Sequence, residues 1–254
     1  MNDQSPTHSA GTGLEKTAFD YDSIPMGYYD EVFHKRKGVQ SKWHHLEYAR
    51  VAREVPTGTR LVDIACGPGT FISTLPDSVI CTGLDVAQAQ VDYANRRYGT
   101  PNKHFQTMTP GRLDFPDNSV DIITSTELIE HITEDECTRL LKECSRVLKP
   151  SGKIILTTPN YSSCWPVLEW CVNRLSKLSY EHQHITHYNA LRLRSVMENA
   201  GFEVLTTGGF QFSAWLFAAI SWNLADFVER IEPAFLKDNL GNLLIGVGRL
   251  RQTI

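Results

Sequence analysis

Long apolar runs are missing from this chain of 254 residues. The longest, Phe212 to Trp222, holds eleven residues with two serines among them, far short of the ~20 that cross a bilayer. No transmembrane segment is expected. Paired cysteine spacing is missing too. The six cysteines lie at 66, 81, 137, 144, 164 and 171 with no CxxC, which argues against a zinc ribbon or a disulfide scaffold and reads as reduced thiols in a cytoplasmic protein. Positive charge is not in excess. A formal net charge of -4 gives no overall basic field for a phosphate backbone, so no nucleic-acid partner is expected. Internal repeats are absent as well. With 41% hydrophobic and 21% charged residues, the chain has ordinary globular composition and enough length for one large domain with a small cap.

Met1 to Lys16 is polar and lacks the apolar stretch of a signal peptide, so residues 1–20 are expected to form a disordered tail. Residues 21–55 read as an N-terminal helical cap segment, with Trp43, Leu46, Tyr48, Val51 and Ala52 on an apolar face. Residues 56–210 form the expected core. There Arg60–Ala65, Val79–Leu84, Val120–Ser125, Lys153–Thr158 and Phe202–Thr206 read as strands. Helical stretches separate them: Val86–Tyr98, Glu134–Leu148, stopped by Pro150 and Gly152, and Ala190–Ala200, closed by Gly201. Alternation of this kind predicts βαβ units and a doubly wound, mostly parallel α/β sheet. Residues 211–254 read as a helical cap insertion over Ser213–Ile231 followed by a last strand, Leu243–Gly248.

The first strand runs into Asp63-Ile64-Ala65-Cys66-Gly67-Pro68-Gly69. Two glycines at a strand end let a ligand approach the backbone closely, and open α/β sheets bind ligands beyond the carboxyl ends of their strands. A tight strand-to-helix turn needs glycines for its own sake, so the pair alone decides little. Asp85 adds weight: it ends the next strand, 22 residues after Asp63, where a carboxylate accepts from both ribose hydroxyls. The dinucleotide pattern G-x-G-x-x-G fails, because its sixth position is Ile72. That failure, with a carboxylate four residues before Gly67, argues against a nicotinamide oxidoreductase and for a ligand carrying an amino acid cation and no pyrophosphate.

The series continues with Gly83-Leu84-Asp85, Phe115-Pro116-Asp117-Asn118-Ser119-Val120-Asp121, Glu127-Leu128-Ile129-Glu130-His131, Leu148-Lys149-Pro150-Ser151-Gly152-Lys153 and Thr158-Pro159-Asn160. Over about residues 45 to 205 it resembles the class I S-adenosylmethionine-dependent methyltransferases, and is similar to their ubiquinone-biosynthesis O-methyltransferase branch. The resemblance implies a seven-stranded Rossmann-like sheet with an antiparallel strand near the C-terminus, and S-adenosyl-L-methionine as cofactor. It places Asp63, Gly67 and Gly69 at the methionine end, Asp85 on the ribose and Thr126 near the sulfonium, with Ala65, Cys66 and Val86 completing the cofactor contacts. The chain departs from the family at Met108-Thr109-Pro110, where an acidic residue commonly meets the adenine amino group. Backbone groups would have to replace it.

A second constellation joins Glu127, Glu130 and His131 to the downstream His182, His184 and His187. On a helix Glu127 would share a face with Glu130 or His131. Run and distant histidine resemble metal-dependent O-methyltransferases, including those that modify small RNAs, which implies Mg or Mn held by Glu127, Glu130, His131 and His187. The alternative keeps His131 and His187 as metal-free bases that take the proton of an acceptor hydroxyl. Tyr28, Tyr29, Trp43, Tyr161, Trp165 and Tyr188 would either wall the acceptor or pack the cap. The expected reaction is O-methylation of a small-molecule substrate, a glycan, quinone or secondary metabolite. N- or C-methylation and a non-catalytic scaffold remain open. The apolar stretch with Trp215, Leu216, Phe217, Ile220 and Trp222 reads as a buried cap, a homodimer surface, or a patch facing lipid.

Overall fold

The structure is a computed structural model that describes residues 25–175 and 183–251. The tail 1–20, the start of the cap segment at 21–24, and His182 lie outside the described residues. Seven strands form one sheet in the order β3-β2-β1-β4-β5-β7-β6: β1 (Arg60–Ile64), β2 (Ile80–Asp85), β3 (Lys103–Thr107), β4 (Val120–Thr126), β5 (Leu148–Pro159), β6 (Phe202–Phe210) and β7 (Leu243–Leu250). β1 pairs in parallel with β2 and β4, and β2 with β3. β7 runs antiparallel to both β5 and β6. The doubly wound sheet with its reversed strand near the C-terminus is therefore the one the sequence and its resemblance predict.

The inner strands are buried almost throughout. Val62, Ile64, Ile123 and Ile154 belong to one apolar cluster, and Leu61, Ile122 and Ile155 to a second on the other side, as expected where helices cover both faces. Helices α1 (Tyr28–His34), α2 (Gly38–Ala52), α3 (Thr70–Ser73), α4 (Gln88–Tyr98), α5 (Glu134–Val147), α6 (Trp165–Leu175) and α7 (Ala190–Asn199) come before β6. Helix α5 begins in a capping box, with Thr133 Oγ1 accepting from the Glu136 amide and Glu136 accepting from the Thr133 amide. The stretch Ser213–Ile231, expected to be helical, is a 3-10 turn, Ala214–Ala219, then α8 (Trp222–Ile231), and a further helix, α9 (Ala234–Leu240), follows it.

Pattern reading passed over β3. Its sequence, Lys-His-Phe-Gln-Thr, holds one large apolar residue, and it is the edge strand beside β2.

Helix α1 is fastened to the sheet's helices through a buried carboxylate. Asp30 accepts from Thr70 Oγ1 at 2.9 Å, from Tyr93 Oη at 2.9 Å and from the hydroxyl of Tyr98. Helix α2 is fastened through its aromatic residues: Trp43 meets Trp165 at 5.3 Å and Trp215 at 5.1 Å between ring centroids. The roof over the strand tips is thus built from residues far apart in the chain.

Candidate active site

The loop after β1 is wound from left-handed residues. Ala65, Gly67 and Gly69 have φ of 59°, 51° and 79°. Alanine tolerates this poorly, and strain of this sort collects where geometry is fixed for a ligand. The loop is pinned by the Cys66 amide on Leu84 O at 2.9 Å and the Gly69 amide on Cys66 O at 3.0 Å. A Cβ at Gly67 would meet nothing within 4 Å, so the loop faces open space where a ligand fits. Asp85 stitches this loop to the next: Oδ2 accepts from the Gly67 amide at 2.8 Å and Oδ1 from the Ala87 amide at 2.9 Å. Burial raises its pKa, and the amides of Ala87, Gly67 and Val86 oppose that rise. Asp63 is buried beneath the loop, held by Thr124 Oγ1 at 2.7 Å. Burial carries its pKa to about 7. Cys66 is buried, Val86 exposed and Thr126 half-buried. Taken together, Asp63, the glycine loop and Asp85 lie at the adjacent tips of β1 and β2, and this arrangement fits S-adenosylmethionine.

The second constellation divides. Glu127 has φ 49°, and Ile129–His131 form a single 3-10 turn rather than a helix. The shared face expected of Glu127, Glu130 and His131 does not form. Ligand atoms of Glu130, His131 and His184 lie within 4.8 Å of one another, and those of Glu127 lie likewise with His44 and Glu47. His187 joins neither group. It is exposed, with its ring stacked on Tyr161 at 3.9 Å. Of the four residues expected to hold a metal, Glu130 and His131 thus lie together, with His184 beside them, while Glu127 is turned away by its left-handed backbone and His187 packs on Tyr161.

Around the trio, Glu130 Oε2 accepts from Thr158 Oγ1 at 2.9 Å, and the backbone carbonyl of Glu130 takes the amides of Ile185 and Thr186. Nδ1 of His131 donates to Gln183 O at 3.0 Å. His184 Nδ1 lies 2.7 Å from Glu169, which also accepts from Tyr161. Burial and the neighbouring His184 hold His131 down at about 4, and burial lifts Glu130 to about 8. His131 is therefore neutral at neutral pH and a weak base.

His44 and Glu47 were passed over in the sequence because α2 reads as an apolar stripe. In the structure Ser41, Lys42, His44 and Glu47 are buried along with Trp43 and Val51. Burial lifts Glu47 to about 7, against a hydrogen bond from Thr157 Oγ1 at 2.7 Å. Glu127 rises to about 8, first through burial and then through the charge of Glu47.

Raised carboxyl pKa values have a fixed sign in stability. Between the ordinary value of 4.5 and about 8 the folded chain keeps protons at Glu127 that the unfolded chain has released, so stability falls as pH rises across that window. Glu127→Gln is expected to raise the melting temperature at pH 9 relative to the unsubstituted protein and to change it little at pH 5. Thermal melts at the two pH values check this, and an equal shift at both would contradict it.

Comparisons with known proteins agree with this geometry. A family model described as a methyltransferase domain matches residues 36–207. A probable S-adenosylmethionine-dependent methyltransferase of Mycolicibacterium smegmatis is 31% identical over 68% of this chain and 63% of its own length. A ubiquinone biosynthesis O-methyltransferase of Coxiella burnetii is 26% identical over 61% of this chain and 68% of its own. In fold, the chain is similar to one from the complex between the Haloferax volcanii Trm112 methyltransferase activator and the putative methyltransferase, with a TM-score of 0.62, 23% identity, and coverage of 90% of this chain and 95% of that one. The chain thus spans just under two thirds of the mycobacterial relative. No helix among the described residues is long and apolar enough to cross a membrane. Since the family model takes in well over half of the chain, the glycine loop and Asp85 included, this protein belongs to the methyltransferase-domain family of S-adenosylmethionine-dependent enzymes.

Proposed function

We infer that this protein methylates a hydroxyl of a small-molecule acceptor, a glycan, quinone or secondary metabolite, with S-adenosylmethionine as donor. The observation that carries this reading is the continuity of the cofactor loop with acid–base groups at the tips of β4 and β5. Glu127 follows Thr126 at the end of β4, and Thr157 and Thr158 of β5 hydrogen-bond Glu47 and Glu130. Bound at Asp63, the glycine loop and Asp85, S-adenosylmethionine supplies an electrophilic methyl group. The chain's own work is to align the acceptor, exclude water and take up the hydroxyl proton. Trp43 and Trp165 roof the site against water. Glu130, His131 and His184 offer one carboxylate and two imidazoles, a donor set that suits Mn better than Mg, and such an ion would lower the acceptor's pKa. In a metal-free reaction the weakly basic His131 is a poorer proton acceptor than carboxylates whose pKa values lie nearer 7.

The exposed apolar side chains of the cap, Ile220, Phe227, Ile231 and Phe235, support a homodimer through that surface, which sedimentation tests. Calorimetric titration with S-adenosylhomocysteine, followed by an acceptor screen that reads release of that product, tests the reaction. Saturable binding and product formed only with hydroxyl acceptors are expected. Turnover confined to amine acceptors would overturn the O-methylation reading, and absent binding in folded protein would overturn the enzyme.

A further inference from the structure

The His44–Glu47–Glu127 group stands apart from the trio of Glu130, His131 and His184. It is composed of one imidazole and two carboxylates brought together from α2 and from the residue after β4. One ligand atom from each lies within 4.8 Å of the others. Ligand atoms around a tetrahedral ion at bond lengths of about 2.0–2.2 Å lie about 3.3–3.6 Å apart, and the 3.7 Å between His44 Nδ1 and Glu47 Oε2 is close to that spacing.

His44 is the independent sign of a missing partner. It is 8% exposed, and neither ring nitrogen makes a hydrogen bond. The closest anion, Glu47 Oε2, stands 3.7 Å from Nδ1. Buried imidazoles are hydrogen-bonded as a rule, and one with two orphan nitrogens beside two carboxylates calls for an explanation. One carboxylate is already oriented, since Glu47 Oε1 is held by Thr157 Oγ1 at 2.7 Å. Outer contacts of this kind fix ligands around metals. A buried carboxylate beside a half-buried one is costly when both are charged, and a divalent ion would balance the pair.

We propose that His44, Glu47 and Glu127 form a binding site for a borderline divalent cation of the Mn²⁺, Co²⁺ or Zn²⁺ class, beside the cofactor loop and separate from the Glu130–His131–His184 trio. The assignment goes beyond O-methylation and holds whichever acceptor is methylated.

The test is a titration of tag-free, chelator-stripped full chain with Co²⁺, read by its visible d–d absorption, with S-adenosylhomocysteine affinity measured separately by calorimetry. The E130Q protein is expected to retain one saturable Co²⁺ site. E127Q and H44Q are expected to weaken that site about 10- to 100-fold or more, because even outer-shell losses cost that much. Both substitutions nearly preserve shape, and E47Q gives a third reading should H44Q fail to fold. Absence of saturable Co²⁺ binding in folded protein would overturn the proposal, as would binding lost in E130Q and kept in E127Q. Loss of S-adenosylhomocysteine binding with Co²⁺ retained would instead count against the methyltransferase reading and leave the cation site standing.

Discussion

Gly69→Ala is expected to lower the unfolding free energy by about 2–5 kcal/mol. Gly69 stands at φ 79°, and a Cβ there would lie 2.6 Å from Cε1 of Phe105 and 3.0 Å from Cβ of Ala94. The left-handed backbone costs an alanine about 1–2 kcal/mol, and forcing a methyl group into a packed site adds about 1–3 kcal/mol. Phe105 has no easy retreat, because it also covers Gly83, where a Cβ would lie 2.5 Å from its ring. Gly67→Ala is the matched control. It meets the same backbone penalty at φ 51° with nothing within 4 Å, so it should cost only the first of the two amounts. Urea unfolding of both variants checks the argument, and equal losses would show that Phe105 does not limit the loop. Cofactor affinity should separate the pair in the other sense, since the added methyl of Gly67→Ala projects into the space a ligand would use.

Asp85→Ala is expected to weaken S-adenosylhomocysteine binding by about 1.5–3 kcal/mol, the range for hydrogen bonds to a charged group, or roughly 10- to 150-fold in Kd. Asp85 already accepts backbone amides, Gly67 on Oδ2 and Ala87 on Oδ1 with Val86 beside them, and a carboxylate's roughly four lone-pair sites leave room for a ribose hydroxyl. The substitution therefore removes the ligand's partner and unties two loops together. Asp85→Asn keeps one acceptor oxygen and should fall between the two proteins. Calorimetry on folded variants measures both, and unchanged affinity in Asp85→Ala would remove Asp85 from the cofactor site.

What could be read from the sequence follows the strength of local signals. β1, β2, β4 and β7 are rich in β-branched and aliphatic residues with clear turns around them, and each reads within a residue or two of its place. β3 does not, because its register against β2 rests on backbone pairing and on Lys103, whose buried ammonium donates to Leu75 O at 2.8 Å. A lysine inside an edge strand sends no apolar signal. At the site, Asp63, Gly67, Gly69 and Asp85 are near neighbours of strand ends and could be placed from spacing. Glu127 could not, since spacing says nothing of a residue turning left-handed at φ 49°. His44 and Glu47 were hidden for the opposite reason. Periodicity assigns polar residues to solvent, whereas α2 turns them toward the strand tips together with Trp43. A polar pair at i, i+3 beside a tryptophan was the available clue. His184 and His187 both lie in a loop without periodicity, so choosing between them required the fold.

The placement of β7 between β5 and β6 also sets a timetable for synthesis. β6 ends at residue 210 and its only neighbour in the sheet, β7, ends at residue 250. At 5–20 residues per second, the ribosome leaves β6 without a partner for roughly 2–8 s, and the outer edge of β5, complete at residue 159, for roughly 5–18 s. Bare strand edges recruit other strands. During that interval the half-made sheet is open to capture by neighbouring nascent chains on the same message, and slow codons between residues 210 and 243 would lengthen the exposure without altering a single residue of the finished protein.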